Sequence, residues 1–202
     1  MRTLNGDTMP PNEKRERLLE AASAVLERAD GNQLNAVCLN KAIFYLDLVS
    51  LRDIGDTVTH SPFVALKQGP VVAHYKKRLI QKLVELGIAE EKSDGNSKPV
   101  KLINHVGEYR YIPKELLPAV EKIAKMFSGN SSAKASAYSH KNPGWKKAYR
   151  EGLGADTQAM PINLFIAMQQ ICDDDPWMSE QLTDAETQAI QIAEDSLEGT
   201  PW

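Results

Sequence analysis

The stretch AVCLNKAIFYLDLVSL, residues 36–51, decides the fold. It is apolar on nearly every side of a helix, the signature of a central helix buried all round. Its polar exceptions are few. Asn40 and Asp47 lie seven residues apart and share one face, whereas Lys41 points about 100° away from Asn40. A carboxylate in such a helix must be hydrogen-bonded or paired, because an unpaired buried charge is very costly. Backbone N–H groups of the following loop, residues 55–59, are the expected partners of Asp47.

Working outward, the first dozen residues carry Gly6, Pro10 and Pro11 and read as a lead-in, followed by a helix from Asn12. Leu18, Leu19, Ala22, Val25 and Leu26 form its apolar stripe, and Gly31-Asn32 stops it. After the central helix, residues 63–66 read as extended. Gly69-Pro70 then reads as a helix start, since proline at the first helical position loses no hydrogen bond. That helix is expected to run to Leu86, with Val72, Tyr75, Leu79, Leu83 and Leu86 on one face and Gly87 as its stop. Residues 88–91 and 99–103 flank Ser93-Asp94-Gly95-Asn96 and predict a β-hairpin, with residues 108–112 as a third strand. From Pro113 the chain reads as helices: 113–127, one after Ser131-Ser132, and one from Asn142-Pro143. Residues 160–172 form an apolar segment, and Thr183 with Glu186 makes a capping box for a helix ending near Leu197. The expected architecture is mainly α (α+β), a compact helical domain with a small hairpin or three-stranded element. We divide it into a lead-in (1–12), a main domain (13–150) and an acidic helical extension (151–202).

Charge is segregated along the chain. All 24 Lys and Arg lie between Arg2 and Arg150, against 16 of the 27 acidic residues. Residues 151–202 hold the other 11 carboxylates and no Lys or Arg. Such asymmetry implies pairing within the molecule or two faces that meet different partners. Cys38 and Cys172, each in an apolar run, read as buried thiols of a reducing compartment. No apolar leader and no stretch long enough to span a bilayer is present, so a cytoplasmic protein with no membrane contact is expected.

Catalytic chemistry finds little support. His60, His74, His105 and His140 stand at no metal-ligand spacing, and Asp173-Asp174-Asp175 lacks the alternation and glycine of a calcium loop. No phosphate-cradling glycine loop or nucleophile elbow occurs. The expectation is therefore no enzyme, no metal and no cofactor, with Asp47 meeting His140 in space as the arrangement that would revive a hydrolase. A nucleic-acid reading rests on helix 70–86 followed by the hairpin with Lys92, Lys98 and Lys101, the outline of a winged helix. Lys76, Lys77, Arg78 and Lys82 would meet phosphates. However, Lys76 to Arg78 spread over about 200° of helix surface, and Gln81 is the one base-reading candidate there. The acidic extension also opposes DNA binding.

Three ordered groups of residues carry a resemblance: Leu39, Lys41, Tyr45 and Asp47; then Gly69-Pro70-Val71; then His140 with Trp145. In this order and spacing, over about Leu34 to Arg150, the chain resembles the Panacea domain. That family is the antitoxin component of toxin–antitoxin systems in bacteria, phages and prophages, and includes the SocA-like type. The resemblance implies a protein-binding module that neutralises an adjacently encoded toxin by direct contact. In the adaptor style of member, the toxin is instead delivered to a AAA+ protease. Members often carry a histidine after the aspartate helix and a proline before the next threonine; here those places are Ser50 and Thr57, so no role of that histidine transfers. The motif residues read first as scaffold. Gly69-Pro70 shapes a turn, and Trp145 is a core plug with His140 bonding a nearby carbonyl. Partner contact is expected from aromatic and charged residues around them: Tyr75, Lys77 and Arg78, the acidic Asp173, Asp174 and Asp175, and Trp177 and Trp202. A basic toxin surface would be met by the acidic extension.

Overall fold

The computed structural model describes residues 9–92, 99–104, 107–154 and 159–173. Its centre is α2 (Ala36–Ile54), in which every residue from Cys38 to Leu51 is buried. The helix begins where the Asn35 side chain accepts the Cys38 N–H at 2.8 Å, and it ends at Gly55, whose φ of +83° suits glycine. Around it pack α1 (Pro11–Arg28), α4 (Leu117–Ser128), α5 (Ser132–His140) and α7 (Leu164–Asp173). A ring cluster of Phe44, Tyr45, Phe63 and Phe127 fills the space between α2 and its neighbours. Burying side chains of this size contributes roughly 1.5–3 kcal/mol each. The helix is therefore the largest single contributor to the core.

Two small antiparallel sheets complete the mainly α architecture. One has β1 (Gln33–Asn35), β5 (Pro99–Leu102) and β4 (Ala89–Glu91) in the order β1-β5-β4. The β4–β5 hairpin stands where the turn residues predicted it, with Glu90 opposite Lys101. The third strand differs. It is β1, with Leu34 opposite Val100, and not residues 108–112. Those residues give their N–H groups to a buried carboxylate instead: Glu20 of α1 accepts from Arg110, Tyr111 and Ile112 at 2.9, 2.6 and 3.0 Å. A carboxylate that accepts three backbone donors replaces the ladder those donors would otherwise need.

The second sheet corrects the reading of Gly69-Pro70. Residues 69–72 do not start a helix; they form β3 (Gly69–Val72), paired with β2 (Phe63–Leu66) across the two-residue turn Lys67-Gln68. The order is β3-β2-β6, with β6 (Met160–Pro161), so β3 is an edge strand, where proline's missing N–H costs no ladder bond. Gly69 has φ +107°, outside helical space. The helical turn begins only after His74 (φ +56°), as a π-type turn over Lys76–Ile80 running into α3 (Gln81–Glu85). Leu86, expected on its apolar face, is 59% exposed. The helix expected over residues 70–86 is thereby shortened to a helical segment over residues 75–85, preceded by a strand.

The last helices close the fold. After a 3-10 turn at Lys114–Leu116, α4 and α5 follow as expected, and α6 (Pro143–Gly154) starts at Asn142-Pro143. Gly144 lies against α7 so closely that a Cβ there would come within 2.7 Å of the Ala167 Cβ. Cys38 is buried, but Cys172 sits on the exposed side of α7, contrary to the buried-thiol expectation, because only Ala167 and Ile171 of that helix turn fully inward. The capping box at Thr183 lies outside the described residues.

Candidate functional site

The buried polar residues of α2 hold the loop, strand and helix packed against it. Asn40 donates to the Ala36 carbonyl at 2.8 Å, and its Oδ1 accepts the Val72 N–H at 3.0 Å, satisfying a buried donor of the edge strand. Asp47 accepts from the Thr59 N–H at 2.9 Å and the Thr59 hydroxyl at 2.5 Å. Ser50 donates to the Asp56 carbonyl at 2.6 Å. The Tyr45 hydroxyl donates to Gln170 Oε1 of α7 at 2.9 Å, and Asn142 Nδ2 donates to the same oxygen at 2.9 Å. Leu39 is wholly buried core.

The remaining motif residues converge on the Lys67-Gln68 turn. Trp145 Nε1 donates to the Leu66 carbonyl at 3.0 Å. His140 bonds the Lys67 main chain and stacks on Trp145 with ring centroids 4.2 Å apart, and Tyr149 stacks on the other side at 4.8 Å. The Gln68 carbonyl accepts from Lys41 Nζ at 2.5 Å and from the Ser136 hydroxyl at 3.0 Å. Three consecutive main-chain units are thus gripped from α2, α5 and α6. Gly69 makes this possible: a Cβ there would lie 2.5 Å from Ser139 Oγ and 2.9 Å from Lys41 Nζ. With the turn's backbone held inward, the side chains of Leu66, Lys67 and Gln68 face solvent.

Electrostatics at the clamp are unbalanced. Lys41 is buried and donates to one neutral carbonyl, that of Gln68, with no carboxylate in ion-pair range among the described residues. Burial pulls its ammonium down to about 8, against a small opposing pull from Cys38. His140 is likewise held below its ordinary value, by burial first and then by the Lys41 charge. Beside Lys41 opens a groove of about 420 Å³ lined by Ala36, Val37, Leu66, Val71 and Tyr75, with Lys67 and Gln68 at its rim.

Asp47 and His140 are not brought together, since each is bound to its own loop. Among the described residues, no group of three His, Cys, Asp or Glu is placed to hold a metal ion, and no helix is long and apolar enough to cross a membrane. Tyr75 is half-buried in the groove wall, Lys77 is exposed and Arg78 partly so; Asp173 is exposed at the end of α7. Asp174, Asp175, Trp177 and Trp202 lie outside the described residues. Sequence reasoning missed Ser136, Asn142 and Gln170 as parts of the clamp. Asn142 before Pro143 carried a helix-cap signal, and its Oδ1 accepts the Trp145 N–H at 3.1 Å. Gln170 carried none.

The arrangement turns its polar groups inward onto a gripped turn and leaves a groove beside it. A family profile described as antitoxin SocA-like, Panacea domain, matches residues 39–146, from Leu39 at the start of the polar seam to just past Trp145. The match covers more than half the chain, and the protein belongs to this family of antitoxin domains. No curated protein and no solved structure matches it. Membership supports an antitoxin role and implies a toxin as partner.

Proposed function

We propose that this chain neutralises a toxin encoded beside its own gene by binding it directly, and that it catalyses no reaction itself. One observation carries this reading: the family match spans residues that form the clamp, and Lys41 and Trp145 among them spend their donors on the turn's main chain. What the clamp offers outward is a rigid turn, a groove and a set of cations. Leu66, Lys67 and Gln68 with Tyr75, Lys77 and Arg78 are the surface on which the toxin docks. Aromatic and arginine anchors beside a preformed turn suit such an interface, because little conformational freedom is lost on binding.

Co-expression with the neighbouring open reading frame tests it. That frame is toxic alone and harmless with this chain, and the two proteins co-purify. Lys77→Glu with Arg78→Glu weakens the complex at least tenfold without changing the melting temperature. A harmless neighbour, or rescue with no complex and no loss of toxin, overturns the proposal. Rescue with rapid loss of the toxin in cells, abolished by removing a AAA+ protease, selects delivery over blocking. Retention of the chain's own promoter DNA in a gel shift, with no protein partner, would favour the regulator instead.

A further inference from the structure

Lys41 is an anomaly among buried charges. A buried ammonium is ordinarily paired with a carboxylate, since a neutral carbonyl returns only part of its lost hydration. Here the groove beside it is further bounded by Lys67, and His140 approaches from α5. The next turn of chain after Tyr75 adds Lys76, Lys77 and Arg78. None of Lys67, Lys76, Lys77 and Arg78 takes part in an ion pair among the described residues, whereas Lys82 and Lys125 do. The groove therefore combines an apolar floor, an aromatic wall and the cations Lys41 and Lys67. Lys76, Lys77 and Arg78 surround the helical turn that follows Tyr75, and none of the five is ion-paired among the described residues.

The chain carries a segment of the complementary kind. Residues 174–202 hold eight carboxylates, no Lys or Arg, and two tryptophans, Trp177 and Trp202. They continue from α7, whose end is fixed to α2: Arg52 Nη1 donates to the Ile171 carbonyl at 3.2 Å. Arg52 and Lys41 are eleven residues apart on α2, so they lie within about 20° of the same helix face and about 17 Å apart along the axis. The end of α7 thus lies on the side of α2 that Lys41 occupies. A dozen residues of chain can span about 20 Å, so the groove lies within reach of residues 174–202. Tethering raises the local concentration of such a segment to the millimolar range, where a few ion pairs and one buried tryptophan suffice.

We infer that the groove beside Lys41 is a binding site for an acidic, tryptophan-bearing polypeptide segment, and that residues 174–202 of the same chain occupy it when no partner is bound. The segment brings carboxylates to Lys67 and to the Lys76–Arg78 turn and covers the apolar floor between Val37 and Val71. The site belongs to the isolated chain and does not depend on which toxin is bound.

Carbodiimide coupling of the full-length chain at low micromolar concentration tests this, because it joins only carboxylates and amines already in contact. Peptide mapping of the monomer band yields amide links from residues 174–198 to Lys67, Lys76 or Lys77, and 0.5 M NaCl reduces them severalfold by screening. In a second chain, all eight carboxylates of the segment are replaced by their amides and folding is checked by circular dichroism. Acetylation of Lys67, Lys76 and Lys77 by a limiting amine reagent then rises at least threefold over the native chain. Links confined to other lysines, links found only in a cross-linked dimer, or unchanged acetylation each overturn the inference. The dimer result would assign the groove to the segment of a second copy.

Discussion

Asp47 shows how one buried residue sets a property of the protein. Burial pushes its carboxyl up to about 7, against the lowering effect of the Thr59 hydrogen bonds. In the unfolded chain the same group ionises near 3.8. Between these values the folded state holds the extra proton, so this group's contribution to stability is greatest below pH 3.8 and is lost as pH rises through 7. Asp47→Asn keeps the shape and removes the titration. Relative to that variant, the native chain is expected to lose stability steadily from pH 4 to pH 7 in denaturant melts; parallel profiles would refute the assignment. Lys41 acts in the alkaline range. Its proton is held more tightly in the unfolded chain between about 8 and 10.5, so its contribution to stability rises with pH across that window. At Gly69, alanine meets both a left-handed φ and the Ser139 and Lys41 side chains. Gly69→Ala is expected to destabilise by about 1–3 kcal/mol through this strain and crowding, read as a shift in the urea midpoint.

Elements were legible where a local pattern had no competitor. The continuous apolar run of α2, the pairing of β4 with β5 and the helices after Pro113 follow from periodicity and turn chemistry alone. Gly69-Pro70 was misleading because glycine and proline serve a hairpin edge as well as a helix start, and the choice rests on a distant donor and acceptor. Asn40 supplies the acceptor for Val72 N–H, and Lys41 the donor for Gln68, both from a helix some thirty residues earlier. Residues 108–112 carried strand-like composition, but Glu20, ninety residues away, claims their N–H groups. The contact of α6 with α7 gives a prediction at this scale. Gly144→Val forces the helices apart at Ala167 and disturbs the Asn142–Gln170–Tyr45 chain of hydrogen bonds. A loss of about 2–4 kcal/mol is expected from overpacking together with the broken polar contacts, with a matching fall in neutralisation of the toxin in co-expression.

At the scale of the whole molecule, the clamp unites residues from 41 to 145 on one two-residue turn. Its members were visible as an ordered set, but their common task was not. Trp145→Phe is expected to keep the stack on His140 while leaving the Leu66 carbonyl without its donor. The cost is about 1 kcal/mol, and amide exchange in residues 63–72 is expected to rise. Exchange that rises equally throughout the core would argue against a local clamp.

The amino-acid sequence by itself determined the buried central helix, the mainly helical class, the segregation of charge and the family, because these depend on local periodicity, composition and ordered motifs. Only the tertiary structure decided that residues 69–72 form an edge strand, that Glu20 replaces a third strand, and that Lys41, His140 and Trp145 grip one turn. Those outcomes depend on which buried donor finds which acceptor. That pairing is made between residues tens of positions apart, once burial has removed water as the alternative partner.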